Sequence, residues 1–296
     1  MKQIGNGLGA AFKIIFKIFT AERVFCWFAS SYAFVGVFLA RFLGIPAYVV
    51  AAGVDAAKNE EIGYGIWLNP FKARLARYVY RKATTVLAVD PSISDSVIRL
   101  AEYDGKNIIC LPTGYDTDFW KSLGPKEKIV LTVAAANDPL TWKVKGIDIL
   151  LDAARRLPAV SFVIVGVTSD FAERYQPPIN VKCIGKIARN DILPFYQRAL
   201  VYCQPSRSEG LSNALCEAMA CGCIPVATRI GGNPTAIGDT GLLVPPGDAV
   251  KLALAINQAF GMDVSYGARA RARIVALFPW QKRETELLNI LSEDIP

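Results

Sequence analysis

The stretch Cys203-Gln-Pro-Ser-Arg-Ser-Glu-Gly-Leu-Ser-Asn-Ala-Leu-Cys-Glu-Ala-Met-Ala-Cys-Gly-Cys-Ile-Pro-Val-Ala227 decides how this chain folds. The apolar run Leu200–Gln204 predicts a strand that ends at Pro205, before a loop carrying Glu209 and Gly210. Ser212 and Asn213 are suited to cap a helix running to Ala220, which Gly222 stops, and Ile224–Ala227 reads as the next strand. In a parallel sheet such a unit presents its loop at the carboxyl edge, where ligands bind. The free N–H groups of Leu211, Ser212 and Asn213 at a helix start suit a diphosphate. With Glu209 in the loop and Glu217 about one turn into the helix, both carboxylates could face the same crevice, one toward sugar hydroxyls and one toward a ribose, although chance and surface solvation explain most Glu pairs eight apart.

The same alternation extends in both directions. Strands are expected at Val24–Phe28, Ala47–Ala51, Thr85–Val89 and Asn107–Leu111, with helices near 31–43, 70–82 and 91–103. Past Lys126 the pattern restarts with strands at Ile129–Ala134, Ser161–Val165 and Val181–Ile184, and a helix from Ile147 to Leu157. Continuous apolar strands spaced by helices mark an α/β protein with parallel sheets covered on both faces. The polar segment Asp116–Pro125 breaks the pattern, so two Rossmann-like sheets are expected, joined there.

Composition narrows the chemistry. The 296 residues contain no histidine, which removes Ser-His-Asp, Cys-His, zinc-His and haem-His mechanisms. The 33 Lys and Arg against 26 Asp and Glu give a net charge of +7, which suits an anionic ligand, an acidic membrane surface or a solvated basic face. Nucleic acid is not expected as a partner, because no basic residues interleaved with aromatics gather on one sheet face. The seven cysteines sit mostly in apolar runs and read as small buried hydrophobes without disulfides, in a reducing, cytoplasmic setting. Cys221-Gly-Cys223 lacks the two-residue spacer of a redox or zinc motif.

The first residues carry no secretory pattern. Val24–Ala40 lacks charge, but Ser30-Ser-Tyr32 divides it and Gly44-Ile-Pro46 closes it, so a buried strand and a helix fit better than a membrane span. Ala10–Phe19 sets Lys13 and Lys17 four apart among Phe and Ile, and Lys72, Arg74, Arg77, Arg81 and Lys82 form a second basic cluster. Two readings stay open for these helices: peripheral contact with an anionic membrane, or core packing with a solvated basic edge. No Walker pattern is present, and Gly5-Asn-Gly-Leu-Gly9 has the wrong spacing for a dinucleotide loop. Asp116-Thr-Asp118 sits at the domain link beside Phe119-Trp120, so no metal site is expected there or elsewhere.

Glu209-x7-Glu217, Ala218-Met-Ala-Cys-Gly222 and Pro225-Val226 closely resemble the motif set of retaining glycosyltransferases of family 4. The resemblance continues through Gly231-Gly-Asn-Pro234, Gly241-Leu-Leu-Val-Pro-Pro-Gly247, Phe278-Pro-Trp280, Lys145-Gly-Ile-Asp-Ile-Leu-Leu-Asp-Ala153 and Pro112–Phe119, covering about residue 24 to the end. It implies a GT-B fold, two Rossmann-like domains facing a central cleft. On this reading residues 1–125 form a shortened acceptor-side domain, 126–277 the donor-binding domain, and 278–296 a C-terminal helix packing back toward the first.

The resemblance also implies roles. Glu209 and Lys145 would be catalytic, Glu209 at the donor sugar and Lys145 neutralising the leaving diphosphate. Glu217 would hold the ribose of a nucleotide-sugar donor, with Gly210, Leu211, Ser212 and Asn213 at the diphosphate, and Lys143 and Lys186 also in the donor site. The nucleotide sugar would be a co-substrate, with no further cofactor. The acceptor would be a sugar, a lipid-linked glycan or a polysaccharide precursor, and an anionic membrane surface and a partner subunit complete the expected partners. Three departures stand out: Asn137–Trp142 replaces the family's usual Arg before the Lys, Thr235 replaces a usual Glu, and the N-terminal part lacks the family's opening βα units and its His. The competing expectation is a nucleotide-sugar-binding half-enzyme that needs a second chain.

Overall fold

The computed structural model describes residues 17–293. They divide into two compact units, one running through Pro112 together with the chain from Glu286 onward, the other Thr113–Thr285. Of the basic segment at Ala10–Phe19, only Lys17, Ile18 and Phe19 are described; the rest lies outside the described residues.

In the first unit, strands β1 (Val24–Trp27), β2 (Ala47–Ala51), β3 (Thr85–Ala88) and β4 (Ile108–Cys110) form a parallel sheet in the order β1-β2-β3-β4. The connecting helices are α1 (Ser31–Leu43), α2 (Pro70–Lys82) and α3 (Pro91–Ala101). Each starts at a polar cap: Ser30, Asn69 and Asp90 accept from the backbone N–H groups of Ala33, Lys72 and Ser92. The uncharged run from Val24 is thus split by Ser30 into strand and helix, and no described helix is long and apolar enough to cross a membrane. Every residue of β2 and β3 is buried, which is why both read as unbroken apolar runs.

The second unit holds six parallel strands in the order β10-β9-β8-β5-β6-β7: β5 (Glu127–Val133), β6 (Ser161–Val165), β7 (Val181–Ile184), β8 (Ala199–Gln204), β9 (Ile224–Thr228) and β10 (Leu242–Val244). Between and after them run α4 (Pro139–Val144), α5 (Ile147–Arg156), α6 (Ser169–Ala172), α7 (Arg189–Arg198), α8 (Asn213–Ala220), α9 (Asn233–Ile237), α10 (Ala249–Phe260), α11 (Ser265–Leu277) and the start of α12 (Trp280–Glu293), whose residues from Glu286 onward belong to the first unit. The strand β10 lies inside the glycine-bounded stretch Gly241–Gly247, and its three residues are too few to show a period in the sequence. From β5 the chain builds outward through β6 to β7, then returns to the opposite side of β5 to start β8. That reversal is the topological switch point, and it opens a crevice at the carboxyl ends of β5 and β8.

Gly146 fixes the turn after β5. Its φ is +65°, and a Cβ there would collide with the Pro205 carbonyl oxygen in the loop after β8. Gly247 also has positive φ, +80°, but nothing lies near its missing side chain. Gly247→Ala is therefore expected to cost about 1 kcal/mol, the left-handed backbone penalty alone. Gly146→Ala should cost clearly more, read as the difference between the two variants in urea unfolding.

Candidate donor-binding site

The switch point brings together residues far apart in the chain. Lys145 ends the short α4 turn that follows β5, and Glu209 lies in the loop that follows β8. Their side chains meet, Lys145 Nζ donating to Glu209 Oε1 at 2.5 Å. The same oxygen accepts from Gln204 Nε2 at 2.9 Å and from Ser206 Oγ at 2.8 Å. Gln204 is oriented in turn by Tyr202, whose hydroxyl donates to Gln204 Oε1 at 2.8 Å. Three donors on one oxygen hold the carboxylate in a single orientation.

Arg207 ties the two loops together. Its guanidinium makes a two-pronged pair with Asp148 at 2.7 and 2.7 Å and donates to the Lys143 carbonyl at 2.8 Å, while its N–H donates to the Val144 carbonyl. Lys143 itself points its side chain to solvent and makes no ion pair among the described residues. Lys186 is exposed just beyond β7, two strands from β5, or roughly 10 Å at ordinary strand spacing.

Helix α8 begins beside this pair. The Ser212 hydroxyl accepts from Leu215 N–H at 3.4 Å, as its sequence position predicts. The backbone N–H groups of Gly210, Leu211, Ser212 and Asn213 have no protein acceptor among the described residues, which leaves a row of donors at a helix start. The Gly210 carbonyl accepts from Gly232 N–H at 2.7 Å, so the Gly231-Gly232 segment braces this loop. The Asn213 side chain is bound through Oδ1 to the Tyr115 hydroxyl at 3.1 Å.

Glu217 occupies a different environment. Its side chain is 7% exposed, with Oε1 accepting from Arg189 at 2.6 Å and Oε2 from the Tyr196 hydroxyl at 3.3 Å. Trp120 lies edge-on to Tyr196 at 5.6 Å, and Tyr196 edge-on to Tyr202 at 5.9 Å, so the phenol that meets the carboxylate belongs to a packed run of aromatic rings. Burial pushes the Glu217 carboxyl up from its ordinary value, and Arg189 followed by Tyr196 pull it partly back. Burial likewise holds the phenols of Tyr115, Tyr196 and Tyr202 well above the usual tyrosine range, so they act here as neutral hydrogen-bonding groups.

Several contributors were not visible from sequence. Gln204 and Ser206 carried no motif of their own, Arg207 gave no sign of its partner Asp148, and Arg189 had none beyond its spacing from Tyr196, seven residues or two helical turns. Asp116, read as structural, caps its own turn by accepting from Asp118 and Phe119 N–H groups. All seven cysteines are free thiols, and among the described residues no three His, Cys, Asp or Glu side chains cluster as a metal site.

Residues 127–261 match the family model described as glycosyl transferases group 1. Among curated proteins, the D-inositol 3-phosphate glycosyltransferase of Mycobacteroides abscessus is 27% identical over 271 residues, which are 83% of this chain and 60% of that protein. The alpha-maltose-1-phosphate synthase of Mycolicibacterium smegmatis is also 27% identical, over 83% of this chain and 73% of its own. The chain thus spans about three fifths of the first of these relatives. Among solved structures, Anabaena HepE in complex with UDP and glucose superposes with a TM-score of 0.81 at 20% identity, covering 98% of this chain and 84% of that one. Sucrose-phosphate synthase from Thermosynechococcus elongatus gives 0.80 at 20% identity, over 95% and 76%. With its two parallel-sheet units, the chain has the GT-B fold, and its residues 127–261 match the glycosyl transferases group 1 family model.

Proposed function

We propose that this chain transfers a sugar from a nucleoside-diphosphate sugar to a hydroxyl acceptor, with retention of anomeric configuration. The observation that carries the proposal is the Lys145–Glu209 pair at the switch point, beside the free N–H groups that open α8. A cation and a row of backbone donors suit a diphosphate leaving group, whose negative charge grows as the sugar departs. Lys145 supplies that cation as a compact point charge, so the transfer needs no bound metal ion. Glu209 keeps one oxygen committed to its three donors and offers the other to sugar hydroxyls. Glu217, one turn into α8, takes the ribose. The bond from the anomeric carbon to the diphosphate oxygen breaks with its electron pair going to the diphosphate. The acceptor oxygen then bonds to the same face of that carbon, and its proton passes to the departing phosphate oxygen. No enzyme nucleophile is required, in keeping with a chain that has no histidine.

The relatives support the choice of donor: HepE holds UDP and glucose, and the first curated relative is named for glycosyl transfer to an inositol phosphate. Titration with UDP, GDP and ADP and their sugars tests the assignment. Binding of one nucleotide, weakened at least about tenfold by Glu217→Ala, is expected from loss of a buried carboxylate's hydrogen bonds. Equal binding by wild type and Glu217→Ala would overturn the donor site. Lys145→Ala should retain nucleotide binding better than turnover, and binding without turnover by the wild type would favour the partner-dependent reading.

The acceptor we infer is lipid-linked, reached by a peripheral, cytoplasmic enzyme. Phe34, Phe38 and Phe42 follow one face of α1, and Phe38 and Phe42 are 49% and 82% exposed. Phe71 on α2 is 69% exposed, with Lys72, Arg74 and Lys82 open to solvent on the same helix. Arg77 and Arg81 are committed elsewhere, to Glu102 and the carbonyls that end α3. Aromatic side chains flanked by cations suit an anionic lipid surface. The protein is expected to co-sediment with phosphatidylglycerol vesicles at low salt and to lose this with Phe38→Ser/Phe42→Ser. Equal recovery with neutral vesicles, or none, would remove the lipid acceptor.

A further inference from the structure

We propose that Arg189 is a positioning residue for the donor site: it holds Glu217 in the ionised form and in the orientation that accepts ribose hydroxyls. The inference rests on the donor-site reading above. Arg189 is the first residue of α7, preceded by Ala188, which provides no side-chain cap. A cation at that end faces the positive pole of the helix dipole, so the position is locally unfavourable. What offsets it is tertiary. The guanidinium donates to Glu217 Oε1 at 2.6 Å and lies over the buried Trp120 ring at 5.4 Å. Two turns along the same helix face, Tyr196 takes the other Glu217 oxygen at 3.3 Å. One helix therefore grips both oxygens of a carboxylate that belongs to another, fixing the plane of the group.

The remaining groups facing Glu217 cannot supply this charge. Tyr196 on α7, Tyr202 on β8 and Tyr115 ahead of β5 are neutral phenols, pushed well up by burial. Cys221, at the end of Glu217's own helix, is a buried thiol shifted the same way. Arg271 on α11 is committed to the carbonyls of Thr117, Trp120 and Ala220. Lys126 donates to the carbonyls of Tyr196 and Cys221, and Lys145 is paired with Glu209. Arg189 alone among these cations reaches the Glu217 carboxylate. Its side chain is 68% exposed, so its removal leaves the core intact.

The test is nucleotide affinity as a function of pH. UDP, GDP and ADP are titrated calorimetrically into wild type, Arg189→Gln, Arg189→Lys and Glu217→Gln between about pH 5 and about pH 8, spanning a carboxyl raised by burial. Ratios to wild type cancel the titration of the nucleotide phosphate itself. Lowering the pH protonates Glu217 and weakens binding. Arg189→Gln should move that loss toward neutral pH by about one unit, and Arg189→Lys should restore most of it. A weakening by Arg189→Gln that is equal at every pH, an unchanged profile, or tighter binding each overturns the proposal. Glu217→Gln separates the two levels. If it binds as wild type does, or if none of the three nucleotides binds, the donor-site reading falls and the role of Arg189 with it. If Glu217→Gln is weak and pH-insensitive while Arg189→Gln leaves the profile unmoved, only the role of Arg189 fails.

Discussion

The candidate site depends on one ion pair, Lys145 to Glu209, formed where the sheet reverses its direction of growth. The two residues are 64 positions apart and leave the sheet on adjacent strands, so the pair exists only when β5 and β8 lie side by side. Its side chains are 30% and 10% exposed, enough withdrawn from water for the attraction to matter and open enough for a ligand to compete. Gln204 and Ser206 keep the carboxylate from rotating, and the Arg207–Asp148 fork keeps the two loops from separating. The glycine at 146 lets the backbones approach closely enough for all of this.

The two glutamates of the motif are set up for different tasks by their surroundings. Glu209 sits among donors and a cation, with one oxygen uncommitted in a polar crevice. Glu217 sits against aromatic rings, where burial favours its neutral form and Arg189 opposes that tendency. On the function proposed above, one carboxylate type thereby serves two purposes, as an anchored acceptor for sugar hydroxyls and as a tuned acceptor for a ribose. The tuning comes from α7, outside the loop–helix segment that carries both glutamates.

Much of this was legible in the sequence, for identifiable reasons. Ala47–Ala51 is buried throughout and Ser161–Val165 is buried at Phe162, Ile164 and Val165, and both strands stand where the apolar runs place them. The Ser212 cap and the αL glycine at 222 bound α8 where local chemistry predicts. The strand Leu242–Val244 escaped because three residues carry no periodicity. The site was legible only as far as its motif. The loop and helix pattern marks Glu209 and Glu217, and the resemblance adds Lys145 and the roles, while Arg189, Arg207, Gln204 and Tyr196 act through contacts that span up to 64 residues or rest on packing. Such contacts leave no local trace, since a surface arginine and an arginine aimed at a buried carboxylate look alike in sequence.

The central claim, that Lys145 and Glu209 act as one unit at the switch point, is tested most directly by a double-mutant cycle on unfolding free energy. Lys145→Met, Glu209→Gln and the double variant are compared with wild type in urea. A coupling energy of about 1 kcal/mol or more is predicted for a partly buried pair in direct contact. Additive effects, with coupling near zero, would contradict the account.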